Sequence, residues 1–289
     1  MAKASYLPYH FVDHLRKPGL KFSGGVVALN QYMCKTKSNG GNDSASSLLG
    51  KLRKMKDGED GPTLQTLVGQ NEFEVALKGQ GRPETFVAIW DFMCRNKEKL
   101  KKTKVEVCGR RVKKDGVYEK NVLRTGNVHD LYFGGRSEQE AIQAMVLDRF
   151  FGLDCIGFTA GVLIYNGEWS EYKGGVPLQW AKWFCTEKVN SAKDVKPLDF
   201  MIWSGHIAMV DWVWKVSEHG KSVDVDVAQC SSGEETGPQY NTHALLTETG
   251  KVEDGHRKFK FSDRGRPEAP VSGEFFIMRR KDFYWEKQN

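Results

Sequence analysis

The predicted fold depends on the segment Gly152-Leu153-Asp154-Cys155-Ile156-Gly157-Phe158, in which a buried helix is expected to begin at a cysteine. The N-terminus of a helix carries unpaired N–H groups and a partial positive charge, both of which stabilise an anion. A thiol at such a position ionises more readily and becomes a nucleophile. The alternative is that Cys155 is a small core residue, because cysteine is among the most buried residue types. The choice depends on whether the rest of the chain supplies a base.

Length and composition exclude several classes of protein. The chain has 289 residues, of which 39% are hydrophobic and 28% charged, as is ordinary for a soluble globular protein. No run of about eighteen apolar residues is long enough to span a bilayer, so no transmembrane segment is expected. The N-terminal sequence MAKASYLPYHFVDHLRKPGLKF contains no apolar segment of the signal-peptide type. We therefore expect synthesis in the cytoplasm without a Sec signal.

The cysteine spacing and the known cofactor motifs argue against bound metals and nucleotides. Six cysteines are scattered without CxxC spacing, which favours free thiols over a zinc site or a disulfide framework. No HEXXH, P-loop or GxGxxG pattern occurs in a strand-turn-helix context. No cofactor is expected.

Charge is distributed unevenly along the chain. Residues 1–135 carry 24 Lys+Arg and 14 Asp+Glu, a net charge of +10, whereas residues 136–289 carry a net charge of −4. A basic region can hold nucleic acid, an anionic cell-wall polymer, a membrane surface or an acidic partner, or it can simply be a solvated face. Charge alone does not choose among these possibilities.

The order of the predicted elements is helices first and strands afterwards. An amphipathic helix is expected over residues 85–100 and a hairpin over 105–123. Ser137 and Glu140 form a capping box that predicts a helix to about residue 150, followed by the helix from Cys155 to about Tyr165. Strands are then predicted at residues 197–203, 205–214, 222–229 and 273–279. This order predicts an α+β fold with a mainly antiparallel sheet.

A base and an orienting group for Cys155 are predicted on two neighbouring strands. His206 opens a strongly apolar strand, where an imidazole is well placed to act as a base. If the chain turns at His219-Gly220, Gln229 on the next strand lies near the start of the His206 strand. Gln229 can then bond the far ring nitrogen and hold the imidazole in one tautomer. A core histidine is the alternative for His206.

These residues resemble the NlpC/P60 cysteine peptidases, a family of papain-like fold. The resemblance rests on five segments in the family's order: Leu131-Tyr132-Phe133-Gly134-Gly135, Asp154-Cys155-Ile156-Gly157-Phe158, Leu198-Asp199-Phe200-Met201-Ile202, His206-Ile207-Ala208-Met209-Val210 and Ala228-Gln229-Cys230-Ser231-Ser232. Ile156 stands where the family usually has serine, and Leu198 where it has glycine. The helix over 137–150 is interpreted as an insertion.

The resemblance implies a division of the chain and a set of site residues. Residues 125–289 would form the papain-like catalytic domain, with residues 1–124 as a basic N-terminal elaboration of unknown role. Cys155 would be the nucleophile and His206 the base. Gln229, Ser231 and Asp226 are candidates for the third catalytic residue, and Gln229 is preferred because its sequence context matches the family. The predicted substrate-binding residues are Asp154, Tyr132, Trp203 and Ser231.

The resemblance also implies an activity, namely amide hydrolysis through a thioester. The family's usual substrates are stem peptides of peptidoglycan. Because no export signal is seen, the hypothesis is an antibacterial amidase toxin that a secretion machine delivers to the periplasm of a target cell, with a cognate immunity protein as partner. Alternatives are a papain-like acyltransferase, a toxin that modifies host proteins, and a catalytically degenerate binding protein. Nucleic acid is not an expected partner.

Overall fold

The structure is a computed structural model that describes residues 2–17, 19–31, 44–108, 112–114, 117–119, 123–169, 175–231, 237–263 and 273–285. Within these ranges, the side chains of residues 2–3, 44–47 and 106–124 lie outside the description. The chain divides into two compact units. One comprises Met1–Asp13 with Cys155–Asn289, here called the barrel unit, and the other comprises His14–Asp154, here called the helical unit.

The described elements follow one another in a helix-rich first half and a strand-rich second half. The α-helices are α1 Pro8–Arg16, α2 Ser44–Leu52, α3 Leu64–Val68, α4 Gln70–Ala76, α5 Pro83–Arg95, α6 Lys97–Leu100, α7 Glu138–Leu147, α8 Cys155–Tyr165 and α9 Pro177–Phe184. A π-helix spans His129–Phe133, and a 3-10 helix spans Ala192–Asp194. The strands are β1 Ala2–Lys3, β2 Leu20–Phe22, β3 Gly25–Val27, β4 Lys104–Cys108, β5 Val112–Lys114, β6 Val117–Glu119, β7 Leu123–Asn127, β8 Glu187–Val189, β9 Phe200–Ile202, β10 Ile207–Val216, β11 Ser222–Ser231, β12 Gly237–Glu253, β13 His256–Asp263, β14 Glu274–Arg279 and β15 Phe283–Tyr284.

The helical unit packs its helices around aromatic side chains. The predicted amphipathic helix is divided into α5 and α6, and α5 buries Phe86, Ile89, Trp90 and Met93. Three two-stranded antiparallel pairs, β2–β3, β4–β7 and β5–β6, complete the described part of this unit. The capping box is confirmed, because Ser137 accepts a bond from the Glu140 N–H and Glu140 accepts one from the Ser137 N–H.

The barrel unit contains a closed antiparallel barrel of six strands. Their order is β13-β12-β11-β10-β9-β14, and β14 pairs with β13 to close the barrel. The first half of β14, from Glu274 to Phe276, pairs with β13, and the second half, from Ile277 to Arg279, pairs with β8. Register shifts in β11–β12 and β12–β13 mark irregularities of the bulge type. Bulges increase local twist and bend the sheet, which closure requires.

Alternate side chains of the strands fill the barrel. This core is apolar and almost completely enclosed. Its main residues, on the strands and at the end of β9, are Met201, Trp203, Ala208, Val210, Val223, Val225, Val227, Ala244, Leu246, Phe259, Phe275 and Ile277. The period of two in β11, with Val223, Val225 and Val227 inside, is the pattern that predicted this strand. Burial of such a set is the main force that holds the barrel together.

Helix α8 packs against β10 and β11 and is buried over most of its length. Its residues from Cys155 to Leu163 are all buried. A helix that is apolar on every side belongs in a protein interior, as the sequence predicted. At Gly161 the ring of Phe11 comes so close that a Cβ would lie 2.5 Å from its Cζ atom. Glycine therefore permits α1 and α8 to approach each other here.

The first thirteen residues belong to the barrel unit, because β1 pairs with β15 and the Tyr9 N–H donates to Asp211 Oδ1 at 2.6 Å. The chain passes from the barrel unit to the helical unit after Asp13 and back to the barrel unit after Asp154. This division differs from the predicted one at 124/125, since residues 125–154 group with the helical unit. None of the helices in the described part of the chain has the length and apolar character needed to cross a membrane.

The predicted α+β class is confirmed, as are most of the predicted strands. The main differences are β12 and β13, which were not predicted, and the closure of the sheet into a barrel. A single hairpin was predicted over 105–123, whereas the structure has two nested strand pairs, β4–β7 and β5–β6.

Candidate functional site

His206 lies in the tight connection between β9 and β10. The Trp203 N–H donates to the His206 carbonyl oxygen at 2.9 Å, and Ile207 then pairs with Ile202. Ser204 and Gly205 form the exposed tip of this connection. The imidazole is therefore held at the first position before a buried strand, where the hairpin fixes its backbone on both sides.

Gln229 contacts His206 directly, as the predicted hairpin geometry required. The chain turns through residues 217–221, and Gln229 pairs with Ala208 in the β10–β11 ladder. His206 Nε2 lies 2.8 Å from Gln229 Oε1. This juxtaposition was predicted from the spacing of the two strands, and the structure confirms it.

Asn241 on β12 fixes the orientation of the Gln229 amide. Gln229 Nε2 donates to Asn241 Oδ1 at 3.0 Å, which leaves Gln229 Oε1 facing His206. An amide oxygen only accepts hydrogen bonds, so Nε2 of His206 is the donor. In the neutral ring Nδ1 then carries the lone pair. The Asn241–Gln229–His206 chain therefore selects the tautomer in which Nδ1 can accept a proton.

Burial keeps His206 neutral at physiological pH. Desolvation lowers the pKa of His206 to about 4, and the hydrogen bond with Gln229 partly opposes this effect. The pair is set in apolar surroundings, since Gln229 is 2% exposed and the Trp203 ring lies 5.6 Å from the imidazole ring. A neutral imidazole can act as a base, whereas an imidazolium cannot.

Cys155 is the first residue of α8 and is buried, with 4% of its surface exposed. The helix that it begins packs against β10 and β11, the strands that position His206 and Gln229. Its carbonyl oxygen accepts a bond from Thr159 Oγ1 at 2.8 Å, which ties the first turn together. The predicted helix start is thus confirmed. The His206 ring contacts Gln229 and Trp203.

Asp226, an alternative third residue, belongs to a separate polar cluster. It accepts bonds from Trp214 Nε1, the Tyr240 hydroxyl and the His243 N–H, each at 2.8–2.9 Å. Asp211 lies in the same cluster, and burial followed by the charge of Asp226 raises the pKa of Asp211 to about 7. Gln229, by contrast, is hydrogen-bonded to His206 itself.

A cavity of about 790 Å³ opens beside His206 in the barrel unit. Its lining includes Trp203, His206, His256, Lys258 and Phe276. Trp203, which was predicted to bind substrate, is 6% exposed and lies against Phe275, with ring centroids 4.4 Å apart. Trp203 thus contributes both to the barrel core and to the cavity next to the candidate base.

The other predicted substrate-binding residues are Ser231, Tyr132 and Asp154. Ser231 ends β11, pairs with Gly237 and is 4% exposed. In the helical unit, Tyr132 is completely buried and its hydroxyl donates to Asp148 Oδ2 at 2.8 Å.

Asp154, also in the helical unit, accepts a bond from Gln80 Nε2 at 2.9 Å. Its N–H donates to the Gly79 carbonyl oxygen at 2.8 Å. These contacts give no support to a substrate-binding role for Tyr132 or Asp154.

Two residues of interest were missed. Asn241 and His256 lie on β12 and β13, whose polar residues hid the strands from a search for apolar alternation.

The four cysteines whose side chains are described, at positions 94, 155, 185 and 230, form no disulfide bond. Within the described residues, no group of three or more His, Cys, Asp or Glu side chains is arranged to hold a metal ion. Comparison of the chain with known protein families, with curated proteins and with solved structures gives no match.

Proposed function

We propose that this protein is a cysteine amide hydrolase of the papain-like NlpC/P60 type, with Cys155 as nucleophile, His206 as base and Gln229 as orienting residue. The observation that supports it most is the His206–Gln229 hydrogen bond of 2.8 Å, anchored by Asn241. The helix that begins at Cys155 packs against the strands that carry this pair. A nucleophile at a helix start, a base and an orienting group are the three parts that such a mechanism requires.

The reaction would run through a thioester. His206 Nδ1 takes the proton of the Cys155 thiol as the sulfur attacks the amide carbonyl carbon, and N–H donors near the start of α8 stabilise the oxyanion. Collapse of the tetrahedral intermediate breaks the C–N bond, and the amine leaves with the proton from His206. Water, deprotonated by His206, then attacks the thioester. This step gives a carboxylate and returns the proton to the Cys155 sulfur.

The proposed substrates are amide bonds in the stem peptides of peptidoglycan, as the five family-like segments suggest. The proposed role is that of an antibacterial toxin delivered by a secretion machine, with an immunity protein as its cognate partner. Substrate and role rest on the resemblance, whereas the catalytic residues also rest on the geometry around His206.

The test is digestion of purified peptidoglycan, followed by mass spectrometry of the soluble products. We expect the wild type to release fragments with a new amine and a new carboxylate at one peptide bond. Cys155→Ala should abolish their release, since it removes the nucleophile. Cys94→Ala is a matched control, because Cys94 is in the helical unit and burial raises the pKa of its thiol to about 12.

Product analysis also separates the alternatives. An acyltransferase would yield an acyl group transferred to an added amine or alcohol in place of a free carboxylate. If neither the wild type nor Cys94→Ala released any product from peptidoglycan, the wall-hydrolase proposal would be refuted. Equal product release by Cys155→Ala and the wild type would refute the assignment of the nucleophile.

A further inference from the structure

A pair of aromatic rings is exposed on the barrel unit near the end of β10. Trp214 is 53% exposed, and its indole stacks on the imidazole of His243, with ring centroids 5.0 Å apart and an angle of 25° between the rings. His243 lies on β12 and is exposed as well. A single exposed apolar side chain needs no explanation, whereas two exposed rings that are stacked on each other form a defined surface.

Asp226 holds both residues of this ring pair in place. It is buried, and its Oδ1 accepts hydrogen bonds from Trp214 Nε1 at 2.8 Å and from the His243 N–H at 2.9 Å. His243 has a φ of +55°, a left-handed conformation that is uncommon outside glycine. The β11–β12 ladder shifts register at the same place, between Val225 and Val227. A buried carboxylate and a strained backbone both cost stability, so their combination beneath exposed rings indicates that the orientation of the rings is functional.

A polar cavity adjoins the ring pair. Its volume is about 260 Å³, and it is lined by Lys215, Ser217, Glu218, Ser222, Asp224 and Leu245. Asp224 connects the cavity to the ring pair, because its Oδ1 lies 3.4 Å from Nδ1 of His243. Lys215 directly follows Trp214 in β10. The cavity is at the far end of β10 from His206, on the order of 30 Å away at about 3.3 Å per strand residue, so it is separate from the proposed catalytic site.

The lining of this cavity suits a neutral ligand that carries several hydroxyl groups. Lys215 is a donor, Glu218 and Asp224 are acceptors, and the two serine hydroxyls can serve in either role. Two carboxylates against one ammonium group leave little net charge with which to select an ion. The adjoining indole has an electron-rich face that attracts polarised C–H groups. A sugar ring meets both requirements, because it has hydroxyl groups around its edge and C–H bonds on its face.

We infer that the Trp214–His243 pair and the adjoining cavity form a saccharide-binding site. One sugar ring of an uncharged oligosaccharide packs on the exposed indole, and a neighbouring unit bonds the polar side chains of the cavity. The cavity is small beside ligand pockets of about 300–1,000 Å³, which fits one sugar unit rather than a long segment. The inference goes beyond the proposed function and does not depend on Cys155 or His206.

The test uses the full-length protein with two uncharged probes, tetra-N-acetylchitotetraose and cellotetraose, and binding is followed by ligand-observed NMR. At least one of these oligosaccharides should bind. Trp214→Ala should weaken its binding by about fivefold or more, because the stacking surface is lost. Glu218→Gln keeps an acceptor oxygen and removes only the charge, so it should change the affinity by less than about threefold. Trp183→Ala, at an exposed tryptophan on α9, is the matched control and should bind as the wild type does.

His243→Gly is a second variant, chosen because it should keep the fold. Glycine adopts a φ of +55° without strain and retains the N–H that donates to Asp226. The midpoint of its thermal unfolding should therefore stay close to that of the wild type. The substitution removes the imidazole from the ring pair and should weaken oligosaccharide binding by about threefold or more. It supplies the test even if Trp214→Ala does not fold.

Absence of binding by both oligosaccharides, or undiminished binding in both Trp214→Ala and His243→Gly, would overturn the inference. Tetramethylammonium is a third probe, because the face of an indole can also hold a cation. Tighter binding of this cation than of either oligosaccharide, with a loss in Glu218→Gln, would overturn it as well. Oligosaccharide binding without peptidoglycan cleavage by the wild type would support the site and refute the hydrolase proposal. Cleavage without oligosaccharide binding would do the reverse.

Discussion

The buried carboxyl of Asp211 should make the stability of the barrel unit fall as pH rises. Asp211 is 1% exposed, and burial raises its pKa from 3.8 to about 7, with the charge of Asp226 adding to the effect. Hydrogen bonds that Asp211 accepts from the Tyr9 N–H and the Tyr240 hydroxyl lower its pKa and so offset part of this rise. Each pKa unit corresponds to about 1.4 kcal/mol, so ionised Asp211 costs the folded state about 4 kcal/mol above pH 7.

The direction follows from proton binding in the two states. Below about pH 4 both the folded and the unfolded chain hold this proton, and the cost is absent. Between about pH 4 and 7 only the folded state holds it, so the free energy of unfolding falls as pH rises. Carboxyls whose pKa is lowered in the folded state, such as Asp57 and Glu138, act in the opposite direction at lower pH. Comparison with Asp211→Asn isolates the contribution of Asp211.

The assay is urea unfolding at about pH 5 and about pH 8, followed by tryptophan fluorescence. Seven of the eight tryptophans belong to the barrel unit, so the signal reports mainly on it. Between these values the wild type should lose about 3 kcal/mol relative to Asp211→Asn, which has no ionisable group there. Asp282→Asn, at an exposed carboxylate of the same unit, should follow the wild type. The same pH dependence in Asp211→Asn and the wild type would refute the reasoning.

Three further substitutions test packing and positioning. Asp199→Ala should destabilise the barrel unit by about 3–5 kcal/mol in urea unfolding. In the wild type Arg279 donates to both carboxylate oxygens of Asp199 at 2.7 and 2.8 Å, and the substitution leaves Arg279 without this buried partner. A loss below about 1 kcal/mol would contradict this. Gly161→Ala should lower the free energy of unfolding by about 1–3 kcal/mol in the same assay, because its Cβ would lie 2.5 Å from the Phe11 ring. An unchanged midpoint of urea unfolding would show that α1 shifts to make room for the added methyl group. Gln229→Ala should lower kcat for peptide release by about tenfold or more, because the imidazole of His206 is then free to change tautomer. Gln229→Asn should recover part of this loss. Equal rates in the wild type and both variants would remove Gln229 from the mechanism.

Local patterns predicted the parts of the site that depend on neighbouring strands. The alternation of residues 222–229 and the polar turn before it were enough to place Gln229 beside His206. The capping box at Ser137 likewise predicted the start of α7. Both features depend on contacts between residues close in sequence, where periodicity and turn chemistry determine the geometry.

Closure of the barrel and the support of Gln229 depend on distant contacts that periodicity does not show. Strand β12 is 17 residues long, and the ladder from β11 shifts register between Val225 and Val227. The polar residues of β12 are typical of a loop in the sequence, although Asn241 is buried and hydrogen-bonded to Gln229. The grouping of residues 1–13 with the barrel unit also rests on long-range contacts, among them Tyr9 with Asp211.

The central claim is that His206 activates Cys155. The most direct test is the rate at which iodoacetamide alkylates Cys155, measured by mass spectrometry in the wild type and in His206→Ala. Cys94 is an internal reference, because burial raises the pKa of its thiol to about 12. The account predicts that Cys155 reacts faster than Cys94 at neutral pH and that His206→Ala slows Cys155 by about tenfold or more without changing Cys94. A Cys155 rate no faster than that of Cys94, or one that is the same in His206→Ala, would contradict it.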